Sequence, residues 1–294
     1  MTPLFTGCGT AVITPFKNGE VDYPALDRIV ELQLENGVDA IIACGTTGEP
    51  ATMTWEEHLA VVRRVVDVVG HRVPVIAGTG SNCTREAVEA AAVSKEFGAD
   101  AQLVVTPYYN KTSQEGLIAH YNALADAATL PVIVYNVPSR TGLNISPAAL
   151  QAICRHPNVI AVKEASGNVA EVLEKVRLVG DDAAFYCGSD ELNVPLLSCG
   201  FVGCISVLSN VMPKETSAMI HAALAGDFTT AGREQLRMMP MIRALFCETS
   251  PIPCKAAMSA MGLCEDELRL PLIPMQPANR EKLYQIMRGH GLIA

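Results

Sequence analysis

Eight short runs rich in β-branched and other apolar residues recur along the chain, and longer stretches of helical periodicity separate them. The runs are Cys8–Thr14, Asp39–Cys44, Val73–Ala77, Ala101–Thr106, Val132–Asn136, Val159–Lys163, Ala184–Gly188 and Val202–Val207. Between them lie amphipathic stretches such as Ala25–Glu35, Trp55–Val69, Arg85–Phe97, Gln114–Ala127 and Val169–Val179. Strand and helix alternating at this spacing imply parallel strands with right-handed crossovers. Eight such units can close on themselves, so the expected class is α/β, a (β/α)8 TIM barrel. An open doubly wound sheet is the alternative, and the lack of a Gly-rich dinucleotide fingerprint after the first run counts against it. After the eighth run the pattern turns helical, through Lys214–Ala225, Phe228–Cys247, Cys254–Met261 and Asn279–Arg288, with proline-rich joints around Pro251–Pro253 and Pro271–Pro277. The expected division is a barrel over residues 1–226 and a C-terminal helical extension over 227–294.

With 294 residues, 49% apolar and only 18% charged, the chain can bury a large core without disulfides or metals. Its formal net charge of −9 argues against a nucleic-acid partner or an anionic membrane surface, so any anionic ligand must be held by local donors. The ten cysteines contain no C-x-x-C pair, and Cys8, Cys44, Cys187 and Cys204 fall in apolar runs where thiols act as small hydrophobes. Reduced thiols in a cytoplasmic protein are expected, with a structural zinc as the lesser alternative. Gly7, Gly9 and Pro15 interrupt the apolar start, which reads as no signal peptide. The uncharged span Leu192–Pro213 is broken by Pro195, Gly200, Gly203 and Asn210, so it is not expected to cross a membrane. Scattered histidines, and the lack of H-E-x-x-H, a Walker loop or a G-x-S-x-G elbow, lead to an expectation of no metal and no cofactor.

Active sites of α/β barrels form where strands give way to loops at the C-terminal face, and here those ends are unusually polar. The second run ends in Gly45–Glu49, the fourth in Pro107–Asn110, the fifth in Tyr135–Gly142, the sixth in Lys163–Ser166 and the seventh in Gly188–Asp190. Of the eight lysines, only Lys163 completes an apolar strand. Lys17, Lys111 and Lys214 sit in polar turns or at a helix start, while Lys95, Lys175, Lys255 and Lys282 fall in helical stretches where a solvated head is expected. A partly desolvated Lys163 amine would be a nucleophile able to form a Schiff base; the competing reading is a lysine paired with Glu164. Tyr135 and Tyr109 are either buried aromatics or members of a proton-passing chain, and Thr46 either caps a turn or joins that chain. Arg140, after Pro138, presents a fork suited to a carboxylate, with a surface salt bridge as the alternative.

Taken together, the segments GTTGE (Gly45–Glu49), PYYN (Pro107–Asn110), YNVPSRTG (Tyr135–Gly142), VKE (Val162–Glu164) and GSD (Gly188–Asp190) resemble the dihydrodipicolinate synthase/N-acetylneuraminate lyase family of class I aldolases over essentially the whole chain. The resemblance implies that Lys163 condenses with pyruvate and that Tyr135 carries protons. Thr46 would link Tyr135 to Tyr109, which in this family reaches across from a neighbouring subunit. Thr47 and the backbone around Thr46 would hold the pyruvate carboxylate, and Gly188 and Ile205 match positions lining the same pocket. Arg140 matches the synthase residue that holds a semialdehyde carboxylate, which implies aspartate-4-semialdehyde as the second substrate. A lyase acting on a sugar acid or a hydroxy-oxoglutarate is the runner-up, and a non-enzymatic barrel is a third reading that the intact Lys163, Tyr135 and Thr46 oppose. The family is usually a tetramer built from tight dimers. Its feedback site for L-lysine matches Ala51, His58, Asn82, Glu86 and Tyr108, although Pro50 and Trp55 depart from the pattern of lysine-sensitive relatives and the positions also suit an ordinary polar interface.

Overall fold

The computed structural model describes residues 2–127 and 129–294. Eight parallel strands close a barrel: β1 (Gly7–Ala11), β2 (Ala40–Ala43), β3 (Val75–Gly78), β4 (Ala101–Val105), β5 (Val132–Asn136), β6 (Val159–Glu164), β7 (Ala184–Cys187) and β8 (Gly203–Ser206). Each pairs with its successor, and β8 returns to β1 in the register Gly7↔Gly203, Cys8↔Cys204, Gly9↔Ile205 and Thr10↔Ser206. The expected barrel is therefore present, strand for strand. A short antiparallel ladder, Phe16–Lys17 with Glu20–Val21, folds the loop after β1 and was not anticipated.

Strand ends differ from the sequence reading for local reasons. The first run was expected to reach Thr14, but β1 stops at Ala11. Beyond it the Ile13 N–H donates to the Asn210 side-chain oxygen at 3.2 Å, so a side chain replaces the ladder. The third starts at Val75 rather than Val73, because Pro74 has no N–H to offer and Val75 N binds the Asp100 carboxylate at 2.8 Å.

Helices α1 (Tyr23–Glu35), α2 (Trp55–Val69), α3 (Thr84–Glu96), α4 (Gln114–Asp126), α5 (Pro147–Cys154), α6 (Val169–Val179), α7 (Asn193–Leu197) and α8 (Pro213–Leu224) connect the strands and follow the last one. In α2 the cause is plain in the residues. Thr54 and Glu57 form a reciprocal capping box, Val61, Val62, Val65, Val66 and Val69 make one buried stripe, and Gly70 ends the helix in the left-handed region at φ 55°. Helices α9 (Phe228–Leu245), α10 (Ile252–Ala260) and α11 (Pro277–Gly289) make up the C-terminal segment. Among the described residues no helix is long and apolar enough to cross a membrane.

Alternation along the strands splits the core in two. Ala40 and Ile42 of β2 join Leu103, Ile133, Tyr135, Ala161, Tyr186 and Ile205 inside the barrel, whereas Ile41 and Ala43 pack outward with Val104, Val134, Val162 and Phe185 against the helices. The same alternation separates two neighbours on β6. Ala161 and Lys163 take the inner phase, and Val162 and Glu164 the outer, so Lys163 and Glu164 point to opposite faces.

That placement corrects the expectation for two lysines. Lys175 and Lys255 are fully buried, not solvated, because each helix turns that residue toward a buried carboxylate. Lys175 on α6 lies 3.0 Å from Glu164 Oε2 and 3.0 Å from Glu171 Oε1. Asn136 Nδ2 and the Ser166 N–H also donate to Glu164, at 3.1 and 2.7 Å, so its remaining lone pairs are used. Lys255 lies 2.5 Å from Glu49 Oε1. Removing one partner of a buried pair strands the other, which typically costs about 3–5 kcal/mol. Lys175→Met should lower the unfolding free energy by about that amount in a denaturant titration, whereas a loss below about 1 kcal/mol would be the behaviour of a solvated pair.

Candidate active site

Lys163 and Tyr135 are register partners on β6 and β5, and both take the inner phase of the barrel. The Lys163 amine consequently lies 4.4 Å above the centre of the Tyr135 ring, with both side chains buried. Three lysines are buried among the described residues, and two of them face carboxylates. Among the described residues Lys163 has no ion-pair partner: its sequence neighbour Glu164 is engaged by Lys175 on the other side of the strand. An inward amine held by no carboxylate and set beside a phenol is placed for nucleophilic attack on a carbonyl carbon.

Gly188, at the end of β7, leaves room for it. A Cβ built there would stand 3.0 Å from Lys163 Cε, 3.1 Å from Lys163 Cγ and 2.9 Å from Ala165 Cβ, so any larger residue must displace the lysine or the strand end. The thiol beside it, Cys187, faces outward, and burial pushes its pKa up to about 12. It stays protonated and does not compete as a nucleophile.

After β2 the chain makes a single 3-10 turn, Thr46–Gly48, entered from extended Gly45. Its first internal bonds run from Gly48 N to Gly45 O at 2.8 Å and from Glu49 N to Thr46 O at 3.2 Å. The preceding N–H groups, of Thr46 and Thr47, are left over by the turn itself and suit an anion. Thr46, Thr47, Tyr135, Arg140, Lys163 and Gly188 line one cavity of about 810 Å3. The geometry thus provides an amine, a phenol, hydroxyls and backbone donors, and a guanidinium at one mouth.

Arg140 belongs to a one-turn helix, Pro138–Thr141, that follows β5, and its Nη2 donates to the Ser250 carbonyl at 3.1 Å. Among the described residues it faces this backbone oxygen and not a carboxylate, so the surface salt bridge considered from sequence is absent there. Thr249 and Ser250 line the cavity as well, and Arg243 and Glu191 meet at its edge at 3.8 Å. These four come from α9, the joint after it and the loop after β7, and the sequence reading did not find them. The proline-rich joint signalled a turn, but nothing local placed that turn over the barrel mouth.

Other expected residues lie elsewhere. Tyr109 is 92% exposed, adopts φ 66° and lines neither cavity of its own chain. Among the described residues no hydrogen bond joins Thr46 to Tyr135 or Tyr109. Ile205 is buried in the barrel interior with Tyr135 and lies outside both cavity linings.

A second cavity, about 590 Å3, shares Thr46, Tyr135 and Arg140 with the first and continues past Ala51, His58, Glu86 and Tyr108, with Pro50 and Trp55 also in its wall. Asn82 is not in that wall; its carbonyl accepts from Asn110 Nδ2 at 3.0 Å. Burial holds the His58 imidazole below its ordinary pKa, and Nε2 lies 2.8 Å from the Gly78 carbonyl, which fits a neutral ring donating there. Glu86 accepts from Ser81 Oγ at 2.9 Å and keeps an oxygen for another donor.

A family model described as the dihydrodipicolinate synthetase family matches residues 4–289. A 4-hydroxy-tetrahydrodipicolinate synthase of Geobacter metallireducens is 49% identical over 290 residues, covering 99% of this chain and 100% of the relative. Among solved structures, the chloride-inhibited dihydrodipicolinate synthase of Acinetobacter baumannii complexed with pyruvate superposes with a TM-score of 0.96 at 41% identity, covering 98% of this chain and 99% of that one. DHDPS from Cyanidioschyzon merolae with lysine bound gives 0.96 at 41% identity, covering 99% and 100%.

The close approach at Gly188 generates a direct test. Gly188→Ala should slow imine formation between Lys163 and a 2-keto acid about a hundredfold, since displacing a reacting group by about 1 Å can cost that much. The measurement is single-turnover trapping of the imine, with a thermal melt to confirm the fold.

Proposed function

The chain belongs to the dihydrodipicolinate synthetase family, and on that premise we propose that its barrel is a class I aldolase: it condenses pyruvate with L-aspartate-4-semialdehyde to 4-hydroxy-tetrahydrodipicolinate, the committed step toward diaminopimelate and lysine. The observation that carries this reading is the inward amine of Lys163 over the Tyr135 ring, without an ion-pair partner among the described residues. The neutral amine attacks the ketone carbon of pyruvate, and loss of water with Tyr135 as proton carrier gives a protonated imine. That imine is an electron sink, so a methyl proton leaves and the resulting enamine attacks the aldehyde carbon. The amine of the bound semialdehyde then adds to the imine carbon, expels Lys163 and closes the ring.

The remaining assignments follow the cavity. Thr47 and the leftover N–H groups of the Thr46–Gly48 turn hold the pyruvate carboxylate. Arg140, presented by a proline-started turn and steadied by the Ser250 carbonyl, holds the semialdehyde carboxylate, and a fork at that position favours the semialdehyde over a sugar acid. Gly188 and Ile205 shape the pocket around the lysine, one by space and the other by backing Tyr135. Tyr109 completes the proton chain of a neighbouring subunit through Thr46, within a homotetramer made of two dimers; its near-complete exposure in its own chain supports that role. Residues 1–226 form the catalytic barrel and 227–294 the extension, in a cytoplasmic enzyme with free thiols.

The test of the aldolase reading is covalent. Borohydride added with pyruvate should fix a pyruvate-derived mass on the peptide containing Lys163, and Lys163→Ala should abolish both the adduct and turnover. An adduct on any other lysine would overturn the assignment.

L-lysine is proposed to bind in the second cavity, where Glu86 pairs with its ammonium groups and the Tyr108 hydroxyl meets its carboxylate, beside Ala51 and His58, with Asn82 outside that wall and bonded to Asn110. Tyr108 adjoins Tyr109, which supplies a route to the proton chain. Millimolar L-lysine should slow the parent enzyme, and Glu86→Ala should raise the half-inhibitory concentration about tenfold or more, the effect of losing a charge-assisted bond. Equal inhibition of both proteins in steady-state assays would place the inhibitor elsewhere.

A further inference from the structure

Two buried charges at the seam between the barrel and the C-terminal helices are used by none of the steps above. Glu49 closes the Thr46–Gly48 turn and opens the next one, Pro50–Thr52. Its N–H bonds the Thr46 carbonyl at 3.2 Å, and its own carbonyl accepts from Thr52 N at 3.1 Å and Thr52 Oγ1 at 3.0 Å. It does so in the left-handed region, φ 53° and ψ 41°, which costs a residue with a side chain some strain. That side chain is fully enclosed, with Oε1 2.5 Å from the equally enclosed Lys255 Nζ on α10.

Lys255 is itself over-determined. Nζ donates to the Glu267 carbonyl at 2.9 Å and lies 3.9 Å above the Phe16 ring. Arg269 covers the same ring at 4.3 Å while its fork grips Glu57, the capping residue of α2, at 2.7 and 2.6 Å. The ammonium therefore sits where the loop after β1, the loop after β2 and the C-terminal segment converge. Burial pushes the Glu49 carboxyl up and the Lys255 ammonium down, and each is held back by the other's charge. Replacing a buried ion pair by apolar residues of similar volume is often neutral or stabilising, so stability alone gives no reason for these two charges.

We propose that Glu49 and Lys255 are a positioning pair for the first substrate: α10 grips the Glu49 carboxylate and thereby fixes the turn whose Thr46 and Thr47 donors receive the pyruvate carboxylate. The C-terminal segment thus contributes to pyruvate binding through a residue that never touches pyruvate. This rests on the aldolase reading above.

The test titrates pyruvate against the fraction of protein trapped by borohydride, without the second substrate, for the parent, Lys255→Met and the double variant Glu49→Gln/Lys255→Met. Lys255→Met should need about tenfold more pyruvate for half-maximal trapping, with the same maximal fraction, while the semialdehyde KM at saturating pyruvate stays within about twofold. In the double variant no charge is left stranded, so the thermal midpoint should return toward that of the parent while the pyruvate requirement stays raised. A merely structural pair would instead move both KM values together or restore pyruvate binding along with the melt, and either result overturns the proposal. If Lys255→Met does not fold, the double variant decides alone: parent-like half-maximal trapping overturns the proposal, and a raised requirement supports it. A parent that traps no pyruvate on Lys163 overturns this proposal and the aldolase reading together, whereas normal trapping in all three proteins overturns the positioning pair only.

Discussion

Closing eight parallel strands into one ring requires the first and last to approach as closely as any interior pair, and here they meet at Gly7 and Gly203. A Cβ on Gly203 would collide with the Gly7 carbonyl, and one on Gly7 would collide with the Asp39 carboxylate. Asp39 uses the space so left: its Oδ2 accepts from Cys8 N at 2.7 Å and meets His221 Nε2 at 2.8 Å, tying the seam to α8. Everything at the opposite rim depends on that closure. Only a closed ring of parallel strands brings the ends of β5, β6 and β7 and the turn after β2 to one mouth, where Tyr135, Lys163, Gly188 and Thr47 can face the same cavity.

The two-residue period of a strand then divides the work at the end of β6. Lys163 turns into the barrel and Glu164 turns out, so a carboxylate one residue from the amine is too far round the strand to neutralise it. Glu164 is taken up by Lys175, Asn136 and the Ser166 N–H, and this outer cluster anchors the strand end from which the inner lysine projects. The anchoring behind Lys163 and the lack of an ion-pair partner before it among the described residues have the same cause.

Much of this was legible in the residues because it is local. The strand Val132–Asn136 and the helices Trp55–Val69 and Val169–Val179 coincide with the sequence reading, since period, caps and breakers are all encoded within a few residues of each end. Lys163 stood out because it ends an apolar run. What escaped was set by contacts distant in sequence. A helical lysine declares its face of the helix but not what covers that face, so Lys175 and Lys255 looked solvated. The Asn210 side chain that ends β1 lies 197 residues away, and the Ser250 carbonyl that steadies Arg140 lies 110 residues away. Elimination among lysines singled out Lys163 by its strand position; burial does not set it apart from Lys175 and Lys255, whereas its lack of an ion-pair partner among the described residues does.

A chain of net charge −9 that takes up an anion must solve the problem locally. At physiological ionic strength the field of distant surface charges is screened over about 8 Å, so the overall sign matters less than the donors within that reach. At the mouth these are the Arg140 guanidinium, the Arg243 guanidinium at the edge and the leftover N–H groups of the Thr46–Gly48 turn. Backbone donors have an advantage here. They attract a carboxylate without adding a full positive charge beside Lys163, and such a charge would oppose a protonated imine formed there. The turn donors and the Arg140 guanidinium come from separate chain segments yet line the same cavity, so anionic groups can be met there both by dipoles and by a full charge.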